Sequence, residues 1–69
     1  MELTIDMLDE HYFEGFFSQY NTLNAIREAR VSMEEEINKI DAPIDERLDA
    51  IFMLECVFRV YEDRIGRMF

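Results

Sequence analysis

The single histidine, His11, stands beside Glu10 and one helical turn before Glu14. A His–carboxylate pair at this spacing is able to hold a metal ion or to act as a general base near neutral pH. A catalytic zinc site, however, usually takes three protein ligands, and no second His or Cys lies near. A solvated helix residue is the better account of His11.

Two carboxylate pairs at i,i+3 spacing, Asp6-x-x-Asp9 and Glu46-x-x-Asp49, would each share a helix face. Helix-borne pairs of this kind bind magnesium in all-α nucleotide pyrophosphohydrolases, so a metal-dependent hydrolase built on these four acids is one alternative function. Sixteen acids in 69 residues produce such spacings by chance. Both pairs also fall where a first helical turn favours acids for dipole reasons, and no cluster of Lys or Arg stands ready for phosphate. Cys56, set among apolar neighbours with no His nearby, reads as a packed small residue rather than a nucleophile. No Gly-rich phosphate loop occurs, and one histidine excludes most Ser-His-Asp arrangements. The expectation is a protein that is not an enzyme and uses no cofactor or metal.

What stands out instead is a segment both acidic and aromatic. Residues 1–26 carry Glu2, Asp6, Asp9, Glu10 and Glu14 with no Lys or Arg, and five aromatics crowd residues 12–20. On a helical wheel Tyr12, Phe16 and Tyr20 group towards a core, with Phe13 and Phe17 further round, beside the acids. Aromatics next to a charged rim suit a protein interface. The candidate partner-binding residues are therefore Asp6, Glu10, Phe13, Glu14 and Phe17.

The net charge is −9, from sixteen acids against seven bases. Such a chain repels nucleic acid and anionic lipid and attracts basic surfaces, although acidity for solubility alone is common. The expected partner is a protein with a basic surface; direct nucleic-acid or membrane binding is not expected. The four acids Asp6 to Glu14 give about one charge per ~3 Å of helix, too dilute beside the ~1.7 Å spacing of duplex DNA for one helix to mimic it. A regulator, adaptor or inhibitor that docks a protein is the leading reading, and a purely structural dimer is another alternative. The N-terminal Met-Glu-Leu-Thr-Ile-Asp lacks a basic start, the longest apolar run is Ala50 to Leu54, and the lone Cys suits a reducing compartment. These features lead to an expected cytoplasmic location.

The elements that must position these residues are helices. Strand alternation is absent over any six residues, while helical periodicity is strong. The expectation is an all-α, three-helix antiparallel bundle over about 6–20, 22–40 and 43–67, forming a single domain across 1–69. Thr4 or Asp6 would cap the first helix, and Asn21 or Thr22 the second. Ser32-Met-Glu-Glu35 also matches a capping box, but one continuous helix is favoured over a start at Ser32. Leu23, Ile26, Met33, Ile37 and Ile40 form a seam on the second helix, interrupted by Arg30, with Ala29 able to carry the contact there. Pro43 bars helical geometry in Ala42 and opens the third helix. Between Ala50 and Phe58 only Glu55 is polar, so that helix is apolar on more than one side. A core this small rarely suffices alone, and a second copy is the expected cover. The candidate dimer interface is Ile51, Phe52, Leu54, Val57, Phe58 and Tyr61.

Overall fold

Asp9 decides where the first α-helix begins. In the computed structural model, which describes residues 3–68, its carboxylate accepts the Tyr12 backbone N–H at 2.8 Å. That bond satisfies one of the orphan donors of a new helix. The helix α1 accordingly spans Glu10–Phe17. The preceding Ile5–Met7 forms a separate 3-10 turn, and the side chain of Thr4 makes no cap bond to it. The far end of α1 is closed by local side chains: Ser18 donates to the Gly15 carbonyl at 2.8 Å and Gln19 to that of Phe16 at 2.9 Å. The expected helix over 6–20 is thus corrected to a short turn and an eight-residue helix. A strong internal cap at Asp9 outcompetes continuous periodicity.

Helix α2, Leu23–Asn38, starts where Thr22 accepts the Ala25 N–H at 3.1 Å. It runs without a break past Ser32. Helix α3, Ile44–Met68, follows Pro43, whose carbonyl accepts the Arg47 N–H at 3.1 Å. Arg47 also donates from its guanidinium to the Asn38 carbonyl at 3.1 Å, tying the open end of α2 to the start of α3. No strand occurs among the described residues, so the fold is an all-α, three-helix one.

Helix α3 is the spine. Both α1 and α2 pack against it far more than against each other. Helix α2 runs antiparallel to α3, with Arg27 beside Glu62, Arg30 beside Glu55 and Asn38 beside Arg47. Helix α1 runs in the same sense as α3: Ile5 and Leu8 lie near Ala50 and Met53, and Tyr61 donates its hydroxyl to the Glu14 carbonyl at 3.1 Å. The long dimension of 39 Å matches the ~37 Å that 25 residues of α-helix span.

The core joins Leu8, Phe13 and Phe17 to the α2 row Ile26, Ala29, Met33 and Ile37, and to Ala50, Leu54, Val57, Phe58 and Ile65 of α3. No charged or polar side chain is buried among the described residues. The α2 seam forms as its spacing implies, with Ala29 filling the place beside Arg30. Arg30 itself lies at the edge, 2.8 Å from Glu55, 3.4 Å from Glu34 and 5.3 Å above the Phe58 ring.

On α1 the expected facing is reversed. Phe13 and Phe17 have no exposed surface at all, whereas Tyr12, Phe16 and Tyr20 are half-buried at the margin. A Tyr hydroxyl needs water or a partner, which holds Tyr12 and Tyr20 at the margin, and Phe16 shares their side of the helix. Phe17 meets Phe58 and Tyr61 with ring centroids 5.9 and 6.1 Å apart.

Candidate protein-interaction site

Packing α1 alongside α3 in the same sense leaves a groove between them. Its floor is Met53, Val57 and Tyr61, and its α1 wall is Glu10 and Glu14. Cys56 and Val60 form the opposite lip, Arg64 stands near the Tyr61 end, and the volume is about 390 Å³. Arg64 lies 4.9 Å over the Tyr61 ring. Past Met53 the groove continues into a second depression of about 250 Å³, lined by Ile5, Leu8 and Ala50 with Asp6, Glu46 and Asp49 at its margin. The two depressions share Met53, so the surface is one channel with an apolar floor and five carboxylates against a single Arg.

These carboxylates are unencumbered. No ion pair engages Asp6, Glu10, Glu14, Glu46 or Asp49 among the described residues, whereas Glu34, Glu36, Glu55, Glu62 and Asp63 each hold a base. Glu28, Glu35, Asp41 and Asp45 are likewise without an ion pair among the described residues, so unpaired acids occur on α2 and the loop after it as well as along the channel, where Arg64 is the one base in the lining. Of the five candidate partner-binding residues, Asp6, Glu10 and Glu14 lie along this channel. Phe13 and Phe17 do not: they are wholly buried in the core and cannot meet a partner. The apolar part of the surface comes instead from Met53 and Val60 of α3 and from Ile5, with the largely buried Val57 and Leu8 beneath them, a contribution visible only once α1 and α3 are side by side.

The candidate dimer residues divide likewise. Leu54, Val57 and Phe58 are buried within the chain's own core, because α1 and α2 both press on that side of α3. Ile51 and Tyr61 are half-buried against the same core. Only Phe52 is presented outward, at 71% exposure. Ile44, Leu48 and Val60 share its outward position at 66, 58 and 54% exposure, and Cys56 is exposed between them rather than packed. The signal that finds this row is its spacing: residues 44, 48, 52, 56 and 60 recur every four positions, opposite the buried row on the helical wheel.

Among the described residues no three of His, Cys, Asp and Glu stand together so as to hold a metal ion, and no helix is long and apolar enough to cross a membrane. His11 is exposed. No protein-family model, curated protein or solved structure matches the chain.

Proposed function

We propose that this protein works by binding another protein, taking a basic, amphipathic segment of its partner into the α1/α3 channel. The observation that carries this reading is the joining of an apolar floor (Met53, Val57, Tyr61) to a rim of Asp6, Glu10, Glu14, Glu46 and Asp49. Apolar anchors give such a docking its affinity, and complementary charge gives it rate and choice of partner. A segment presenting one or two aliphatic side chains flanked by Lys or Arg matches both requirements. The role is that of a regulator, adaptor or inhibitor rather than a catalyst, and the working species is a homodimer.

The test uses the intact chain and a synthetic helical peptide of alternating Leu and Lys faces as probe, followed by chemical-shift mapping and calorimetry. Expected shifts fall on Glu10, Glu14, Met53, Val57 and Tyr61. Binding weakens as salt rises, because exposed charges are screened beyond a Debye length of about 8–10 Å. Glu10→Lys with Glu14→Lys lowers affinity at least about tenfold, the equivalent of ~1.4 kcal/mol. Shifts scattered over the surface, or an affinity indifferent to both substitutions, would refute the assignment of the channel.

A further inference from the structure

The outward face of α3 has no cover inside the protomer. Ile44, Leu48, Phe52, Cys56 and Val60 form a continuous ridge on it, 24 Å long at ~1.5 Å per residue. We infer that a second copy of this chain covers that ridge, the two α3 helices crossing antiparallel with a two-fold axis at Phe52. The inference specifies the dimer named in the proposed function and is separate from the channel, which it borders only at Cys56 and Val60.

Three observations select this occupant. The first is area. With exposures of 54–71% on four large side chains, the ridge offers on the order of 450 Å² of apolar surface, within the ~300–600 Å² of the largest patch on a typical monomer. Two such ridges carry about 900 Å², close to the ~1,000 Å² that a specific interface clears.

The second is symmetry. The five apolar positions are evenly spaced about Phe52. In an antiparallel pair Phe52 therefore meets its own copy and Leu48 meets Cys56, while Ile44 and Val60, each turned about 80° from the Phe52 line, flank the contact. A ridge repeating every four residues winds slowly round its helix, and two such ridges interlock at a crossing angle of about −50°.

The third is charge. The first half of the exposed α3 surface carries Asp45, Glu46 and Asp49, and the second half carries Arg59, Arg64 and Arg67 with Asp63. Antiparallel pairing sets Asp45 of each copy towards Arg59 of the other, and by the same register Asp49 towards Glu55, whose charge Arg30 already offsets. A parallel pair would bring acid to acid in two chains that already carry −9 each.

Sedimentation equilibrium of the whole chain tests the pairing. At about 100 μM, where a Kd of about 10 μM leaves most chains paired, the expected mass is twice the 8.3 kDa of the chain. Phe52→Asp is expected to be monomeric with unchanged helical circular dichroism, because Phe52 touches no core. A monomeric wild type, or a Phe52→Asp variant that stays dimeric, overturns the inference. The register has its own tests. Asp45→Arg and Arg59→Asp each weaken pairing by about 2–5-fold, and together they restore it; no restoration overturns the antiparallel arrangement. The two Cys56 residues lie about 12 Å apart along the helices, beyond the ~7 Å Cα separation that a disulfide spans. Ready disulfide formation between copies on mild oxidation would likewise overturn the register. Peptide binding to the channel, read at Glu10 and Glu14, is unaffected by either failure.

Discussion

Replacing Phe17 by Ala separates a core aromatic from an interface aromatic more cleanly than any other single change. The ring is completely inaccessible and meets Phe16, Phe58 and Tyr61 at 5.1–6.1 Å between centroids. A Phe→Ala change at such a site costs about 3–5 kcal/mol, from lost transfer energy and from the cavity left behind. Loss of aromatic pairing accounts for about 0.5–1.5 kcal/mol of favourable geometry in such contacts. A chain of 69 residues has a total stability of roughly 3–10 kcal/mol, so most or all of it is consumed. In urea, with a slope near 1 kcal/mol/M for so small a protein, the midpoint falls by about 3–5 M or no folded baseline remains. Circular dichroism against urea is the assay, with Phe52→Ala as the control, measured dilute enough to hold the chain monomeric. That control, on an exposed position, stays within about 0.5 kcal/mol of wild type. A Phe17→Ala protein that loses under ~1.5 kcal/mol would refute the placement of this ring at the junction of α1 and α3.

Two further changes probe other parts of the fold. Gly15→Ala is expected to raise the thermal midpoint: a methyl group there meets nothing within 4 Å, and Ala gains about 0.5–1 kcal/mol over Gly inside a helix, or roughly 2–8 °C in a domain of this size. A fall in midpoint would mean that α1 needs a bend at this position. Arg30→Ala removes contacts to Glu34, Glu55 and the Phe58 ring at once; each is worth up to about 1 kcal/mol when partly exposed, so a loss of about 1–2 kcal/mol in chemical denaturation is expected. Stability within 0.3 kcal/mol of wild type, on the scale of the error in such comparisons, would show that the cluster is incidental.

The contrast between α1 and α2 shows what the amino-acid order makes readable. Helix α2 has a single apolar seam and a capping Thr, so its bounds and its buried row are legible residue by residue, and α3 is marked almost as plainly by Pro43. Helix α1 offers two apolar rows side by side, Tyr12-Phe16-Tyr20 and Phe13-Phe17, and periodicity alone ranks them equally. The deciding factor is the phenolic hydroxyl, together with the Asp9 cap that resets the helix start. The candidate site was half legible for a related reason. Asp6, Glu10 and Glu14 stand out as unpaired acids along the sequence, whereas Met53 and Val57 become their floor only through a pairing of helices distant in the chain. On α3, two apolar rows on opposite sides imply a helix covered twice, yet which row α1 and α2 take depends on packing no local pattern records.

The dependence of α1 and α2 on α3 also sets a timetable for synthesis. The helix against which both pack is the last of the three to be made, and at about 5–20 residues per second its 25 residues take roughly 1–5 s to polymerise. Throughout that interval Phe13, Phe17 and the α2 seam have no surface to settle on, and isolated helices of this length are marginal in water. Folding is therefore expected late and in one step, once α3 is available, rather than element by element as the chain emerges. The same order makes the interval before α3 appears the period in which this acidic, aromatic chain is most open to capture or degradation.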